Sequence, residues 1–130
     1  MTIVIVEDTQ FKRDQLIRFL NDQNIKWEVF EYVNHALKHI RREKDNISGI
    51  ILDLGLKTMP GDNDATLYRG LDVLKEMKRL KADIPVLINS TTELEMVSSE
   101  YPNAFGHRTD MDDYESLENF ICFLRQREKQ

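Results

Sequence analysis

The chain has 130 residues, with 18 basic and 23 acidic side chains that give a formal net charge of −5. This length fits one domain that folds alone, and the acidic balance argues against nucleic-acid binding, which needs a concentrated basic face. No apolar run approaches the ~20 residues of a membrane-spanning helix, no export signal begins the chain, and Cys122 has no partner for an internal disulfide. We therefore expect a single domain over residues 1–130, without an output domain, in the cytoplasm and away from membranes.

The first half of the sequence alternates between two hydrophobic periods. Residues 2–6 predict a strand, and residues 3–6 are a run of β-branched apolar residues that is typical of a strand buried on both faces. Apolar residues then recur at helical spacing within residues 16–20. Residues 27–33 predict a strand with one exposed side, and Asn34 is a candidate cap for a second helix. Residues 47–54 predict another buried strand.

The second half continues the alternation. In order, it predicts a loop at residues 55–64, a helix at 71–80, a buried strand at 84–88, a short helix opened by a capping box at 92–95, a weak strand at 104–107 and a final helix from residue 112. Five strands alternating with five helices predict a parallel sheet covered on both faces. Parallel strands need right-handed helical crossovers, so few topologies remain.

Polar side chains follow the predicted strands at one edge of this sheet. In open parallel sheets, ligands bind beyond the carboxyl ends of the strands. The residues at these ends are Glu7 and Asp8 after the first strand, Asp53 after the third, Ser90 after the fourth, and His107 and Arg108 at the fifth. The sequence therefore predicts one crevice that contains three carboxylates, a hydroxyl and a cation.

This group of residues favours chemistry at Asp53. Three crowded carboxylates repel one another unless a cation holds them, and oxygen ligands favour Mg²⁺ over zinc. The same cation would draw a phosphoryl oxygen toward Asp53, where the carboxylate can attack. Ser90 could then donate to a phosphoryl oxygen, and the cation at Arg108 could pair with another. Asp53 alone could equally cap a helix or turn. Its neighbours at the other strand ends favour function.

Several segments resemble the receiver domain of two-component response regulators, including the stand-alone chemotaxis type. The segments are residues 3–8, 50–54, 70–74 and 84–90, and the resemblance covers essentially the whole chain. It implies a flavodoxin-like doubly wound sheet with the strand order 2-1-3-4-5. It also implies Mg²⁺ as cofactor and Asp53 as the acceptor of a phosphoryl group from a sensor histidine kinase or phosphotransfer protein.

The same resemblance assigns metal ligands and an output. Glu7 and Asp8 would bind the metal, helped by Asp53 and by the backbone carbonyl of Gly55. Phosphorylation would then reshape a face that binds a downstream protein effector. A domain of this kind catalyses only its own phosphorylation and dephosphorylation, so we expect no other enzyme activity.

The switching part of the site departs from the family pattern. Ser90 matches the family's switch hydroxyl, and Phe105 matches the aromatic residue that moves with it. Three residues further on, Arg108 stands where the family has lysine, with His107 as the alternative if the register slips by one. Arginine keeps the charge but not the shape of lysine. The segment at residues 55–69 is also longer than usual, and the stretch from Ser90 to Arg108 is shorter, which predicts a shortened fourth helix.

Two other functions remain open alternatives. In a pseudo-receiver, the same fold would act as a docking module that is regulated without phosphorylation; the missing lysine favours this, whereas the complete acidic site argues against it. A phosphatase with an aspartate nucleophile commonly has a second carboxylate two residues later as its acid. Here that position is Gly55, which argues against sustained turnover.

Four smaller features carry weaker predictions. Residues 62–64 hint at calcium ligands but lack the glycine and glutamate of a calcium loop, which favours a turn. His35 and His39 are four residues apart without a third ligand nearby, so we expect a solvent-facing pair. Cys122 is predicted to fill the core or an interface. Phe123 lies off the apolar stripe of the last helix and is a candidate contact for a partner or for a second copy in a homodimer.

Overall fold

A five-stranded parallel sheet forms the centre of the protein. The structure is a computed structural model that describes residues 1–55, 69–91, 97 and 100–129. The strand order is β2-β1-β3-β4-β5, which confirms the predicted flavodoxin-like doubly wound fold. The strands are β1 Thr2–Val6, β2 Lys26–Phe30, β3 Gly49–Leu52, β4 Val86–Asn89 and β5 Ala104–Arg108.

Helices cover both faces of this sheet. Within the described residues they are α1 Gln10–Asp22, α2 Val33–Glu43, α3 Leu71–Leu80 and the C-terminal helix Tyr114–Glu128, with a short 3-10 helix at Lys44–Asn46. Ile3 and Ile5 of β1 pack against α1 and the C-terminal helix, whereas Val4 and Val6 pack against α2 and α3. Because the strand is buried on both faces, its sequence is an unbroken apolar run.

The predicted elements exist, but several boundaries differ from the prediction. β1 has the predicted bounds, whereas β2 ends at Phe30 and the chain enters α2 at Val33. Val33 is the first residue of α2 and is buried in the core. Asn34 therefore lies inside the helix and not at its cap position. The cap position is Tyr32, and the prediction that Asn34 caps this helix was wrong. The C-terminal helix begins at residue 114, two residues later than predicted.

Some predictions fall on residues that the structure does not describe. These are most of the loop at 55–64 with its candidate calcium ligands at 62–64, and the capping box at 92–95. Between Ser90 and Arg108, residues 97 and 100 are helical, and the predicted shortening of this helix lies largely outside the described residues. No described helix is long and apolar enough to cross a membrane.

Two of the smaller predictions were wrong in part. His39 is buried instead of solvent-facing, because its ring packs on Phe30 at 4.9 Å between centroids and its Nε2 lies 3.0 Å from Glu28 Oε2. His35 is exposed as predicted. Cys122 is exposed and so does not fill the core, since the buried stripe of the C-terminal helix passes through its neighbours at residues 120, 121 and 124. The alternative that it fills an interface stays a prediction.

Candidate functional site

Three carboxylates meet at the carboxyl edge of the sheet. β1 and β3 are parallel neighbours with Val6 opposite Leu52, so the residues that follow each strand emerge side by side. The Asp53 amide N–H donates to the Val6 carbonyl at 2.9 Å, which extends the pairing by one residue. As a result, carboxylate oxygens of Glu7, Asp8 and Asp53 all lie within 4.8 Å of one another. We refer to these three residues as the acidic cluster.

Glu7 is the most perturbed member of the acidic cluster. Its side chain is 1% exposed, and its pKa is raised to about 8, mainly by this burial and secondly by the charge of Asp53. Glu7 Oε2 accepts a hydrogen bond from the Thr9 N–H at 3.2 Å, but no donor among the described residues reaches Glu7 Oε1. A buried carboxylate oxygen without a donor is costly unless a proton or a cation compensates for it.

The acidic cluster therefore fits a hard divalent cation. All of its side-chain ligands are carboxylate oxygens, and Mg²⁺ binds through one or two carboxylates and several waters, whereas zinc prefers nitrogen and sulfur. The unsatisfied Glu7 Oε1 is the observation that supports the fit. Bound here, the ion would neutralise the crowded charges and polarise a phosphoryl oxygen.

Arg13 fixes the turn that presents the acidic pair. Its Nη1 donates to the backbone carbonyls of Glu7 and Asp8 at 3.4 Å and 3.1 Å, and it lies 2.7 Å from Glu31 Oε1. The arginine thus ties the end of β1 to the chain after β2. No local sequence pattern indicates this role of Arg13, because its contacts are to backbone atoms and to a residue 18 positions away.

Two glycines adjoin Asp53. The Gly55 N–H donates to Asp53 Oδ1 at 3.2 Å, which orients the carboxylate, while the predicted use of the Gly55 carbonyl as a ligand stays a prediction. Gly70 N–H donates to the Leu54 carbonyl at 2.9 Å, so the chain returns directly onto the Asp53 backbone. A Cβ atom at Gly70 would lie 2.2 Å from the Asp53 carbonyl oxygen, so only glycine fits there without a backbone shift.

Ser90 and the end of β5 lie next to each other at the carboxyl edge of the sheet. Ser90 is buried at the end of β4, and its N–H donates to the Arg108 carbonyl at 3.1 Å. His107 Nε2 lies 3.0 Å from the Ser90 carbonyl oxygen. The structure thus brings Ser90, His107 and Arg108 together, as their positions at neighbouring strand ends predicted.

The guanidinium of Arg108 is engaged away from the acidic cluster. Its Nε donates to the Asp113 carbonyl at 2.7 Å, and its Nη1 donates to Asn89 Oδ1 at 2.9 Å. Its Nη2 donates to Gln15 Oε1 at 3.0 Å and to the Met111 carbonyl at 2.6 Å. All three nitrogens are therefore used to join α1, β4 and the start of the C-terminal helix. Burial lowers the pKa of Arg108, and the charge of Asp113 opposes this.

Lys12 is a further cation at this edge that the sequence analysis missed. It lies on α1, half-buried, and lines a small crevice together with Asn89, Ser90 and Arg108. Its positive charge acts to lower the pKa of Glu7, so it also lies within electrostatic range of the acidic cluster. In the sequence, the feature that could have indicated Lys12 is its position on the first turn of the helix that follows Glu7 and Asp8.

Phe105 lies on the outer side of β5. It is 39% exposed, and its ring packs on Phe123 at 4.8 Å and on Phe120 at 5.3 Å between centroids. Phe123 is also exposed, in agreement with its position off the apolar stripe. The predicted joint movement of Ser90 and Phe105 stays a prediction.

The sheet and the acidic cluster at its carboxyl edge define a class of small α/β signalling domains. The family model described as the response regulator receiver domain matches residues 3–104. The chain therefore belongs to the response regulator receiver domain family. The match includes the acidic cluster and Ser90 and ends before Arg108. No curated protein matches the sequence significantly.

Solved structures of receiver domains share the fold. A signal receiver domain from Vibrio parahaemolyticus is 20% identical with a TM-score of 0.77, over 98% of this chain and 92% of that one. A Francisella response regulator receiver domain is 18% identical with a TM-score of 0.74, over 98% of both chains. The response regulator TrrA from Thermotoga maritima, in complex with Mg²⁺ and BeF, is 22% identical with a TM-score of 0.70, over 95% and 97%. These identities support the shared fold alone.

Proposed function

We propose that this receiver domain accepts a phosphoryl group on Asp53, with Mg²⁺ as cofactor, and thereby changes which protein it binds. The observation that carries the proposal is the acidic cluster itself, in which three carboxylates lie within 4.8 Å and a buried oxygen of Glu7 has no donor among the residues that the structure describes. Such a cluster destabilises a fold unless it binds something, and oxygen ligands point to Mg²⁺.

The chemistry at Asp53 is a simple displacement. A carboxylate oxygen of Asp53 forms a bond to phosphorus while the bond from phosphorus to the donor breaks, and the donor group leaves with the electron pair. The Gly55 N–H holds the attacking carboxylate at Oδ1, and Arg13 holds the turn that bears Glu7 and Asp8. The natural donor would be a histidine of a sensor kinase or phosphotransfer protein.

The output would be reversible binding of a downstream protein. Ser90 follows β4 next to the site, and the exposed rings of Phe105 and Phe123 lie on the same side of the molecule as the C-terminal helix. A phosphate that binds one arrangement of this region better shifts its population. We also propose a cytoplasmic location and no nucleic-acid or membrane partner. The protein that is bound could be a second copy of this chain, which would give a homodimer.

A pseudo-receiver that docks without phosphorylation is the second candidate. The observation that favours it is that Arg108, at the position of the family lysine, has every guanidinium nitrogen bonded to other groups. The phosphatase alternative is weaker, because Gly55 provides no acid two residues after Asp53. A lack of hydrolysis of a generic phosphomonoester would agree with this.

Acetyl phosphate and intact-mass measurement test the proposal. With Mg²⁺, the chain should gain the mass of one phosphoryl group, and the gain should disappear with EDTA or with Asp53→Asn. Asp83→Asn, at an exposed acid on the opposite edge of the sheet, is the matched control and should keep the gain. No Mg²⁺-dependent gain, or a gain that survives Asp53→Asn, would favour the docking module instead.

A further inference from the structure

We propose that Lys12, on α1, supplies the ammonium group that pairs with the phosphoryl oxygens on Asp53, while Arg108 serves as a structural anchor. This inference rests on the proposed function. Two tasks are thereby divided between two elements: Lys12 on α1 pairs with the phosphoryl oxygens, and Arg108 on β5 anchors the fold. Three observations carry the assignment: the contacts of Arg108, the position of Lys12, and the group of residues that shares the crevice with Lys12.

Arg108 is already committed to the fold. Its side chain is 1% exposed, and it donates to Asn89, Gln15 and two backbone carbonyls of the segment that precedes the C-terminal helix. To reach a phosphoryl group on Asp53, the guanidinium would have to leave several of these acceptors buried and unpaired, which is costly. The arginine is therefore poorly suited to respond to a phosphate that comes and goes.

Lys12 lies on the helix that begins directly after the acidic pair. α1 begins at Gln10, immediately after the acidic pair, so Lys12 lies on its first turn. Long side chains on a helix lean toward the helix N-terminus, and the N-terminus of α1 opens onto the acidic cluster. Among the described residues, no hydrogen bond holds the Lys12 ammonium, and its charge already acts on Glu7. A flexible stem with three donors can therefore move to a new anion.

The crevice places Lys12 next to the other group that should sense phosphate. Lys12, Asn89, Ser90 and Arg108 line the same small opening, whose remaining lining comes from residues 91 and 109–111. In this proposal, a phosphoryl group on Asp53 has the Ser90 hydroxyl on one side and the Lys12 ammonium on another. Charge-assisted bonds of this kind to phosphate oxygens are stronger than neutral ones.

Two variants at Lys12 separate charge from packing. Lys12→Met keeps the stem but loses the ammonium, and Lys12→Arg keeps a cation. The probes are Mg²⁺ alone and Mg²⁺ with beryllofluoride, a phosphoryl mimic, with binding followed by the shift in thermal unfolding. Phosphoryl gain from acetyl phosphate is measured in parallel by intact mass. Lys75→Met, at an exposed lysine of α3, is the matched control.

We expect Lys12→Met to bind beryllofluoride about tenfold or more weakly, and to gain the phosphoryl group correspondingly more slowly. Its binding of Mg²⁺ alone should be unchanged or tighter, because a cation has been removed from beside the acidic cluster. Lys12→Arg should recover part of the loss, and Lys75→Met should match the wild type. Arg108→Met should lower the unfolding temperature yet keep the upward shift of that temperature that beryllofluoride causes.

The outcomes distinguish this inference from the function on which it rests. If the wild type binds beryllofluoride and gains a phosphoryl group but Lys12→Met does so equally well, Lys12 has no such role and the proposed function stands. If Arg108→Met is folded and loses beryllofluoride binding while Lys12→Met keeps it, Arg108 is the sensing cation. A wild-type chain that fails both assays overturns the proposed function and this assignment together.

Discussion

Glu7→Gln should make the metal-free protein more stable, although it removes a residue of the proposed site. In the folded chain, burial and the charge of Asp53 raise the pKa of Glu7 from 4.5 to about 8. The unfolded chain releases this proton near pH 4.5 and the folded chain retains it until about pH 8, so wild-type stability falls as the pH rises between these values. Glutamine resembles the protonated acid in shape and cannot ionise.

The size of the effect follows from the two pKa values. The rise in the pKa of Glu7 from 4.5 to about 8 corresponds to a change of about 5 kcal/mol in the free energy of unfolding, at roughly 1.4 kcal/mol per pKa unit. In EDTA, Glu7→Gln should therefore exceed the wild type in free energy of unfolding by up to about 5 kcal/mol above pH 8. The difference should shrink as the pH falls and be close to zero near pH 4.5.

Urea unfolding at several pH values measures this difference. Glu118→Gln makes the same chemical change at an exposed position of the C-terminal helix and is the control, which should show little pH-dependent difference. Mg²⁺ at 100 times its Kd should narrow this difference by up to about 2.7 kcal/mol, because only the wild type keeps the full set of carboxylates. A Glu7→Gln chain that is no more stable than the wild type above pH 8 in EDTA would refute the reasoning.

Three further predictions concern the support of the site. Gly70→Ala should lower the free energy of unfolding by about 1–3 kcal/mol and should reduce phosphoryl gain, because its Cβ would clash with the Asp53 backbone. Gly106→Ala is the control, since the nearest atom to its Cβ would be 3.9 Å away. It should change neither quantity in the same urea and intact-mass assays. Arg108→Met should cost about 3 kcal/mol or more of unfolding free energy, because it leaves several acceptors unpaired; a loss below about 1 kcal/mol would contradict the anchoring role. Glu76, whose pKa is lowered to about 2 mainly by the Arg79 hydrogen bond, stabilises the fold above pH 4.5. Glu76→Gln should be destabilising by roughly 1 kcal/mol or less at neutral pH, and that difference should fade toward pH 2 in urea titrations.

The sequence alone was enough for the fold and for the acidic half of the site. Strands buried on both faces need continuous apolar runs, so β1 could be bounded correctly from residues 2–6. In a parallel sheet, the residues after neighbouring strands must emerge at one edge, and this brought Glu7, Asp8 and Asp53 together in the prediction as in the structure. Periodicity and strand direction are local properties, and a sequence carries them directly.

The tertiary structure decided how the remaining polar groups are used. Arg108 was expected to face the phosphate, but its partners are Gln15, Asn89 and backbone carbonyls near the C-terminal helix, which no local pattern indicates. Lys12 and Gly70 became relevant only when helix α1 and the chain after residue 69 were seen beside the acidic cluster. Which partner a long side chain finds depends on contacts far apart in sequence, and those contacts exist only after the chain has folded.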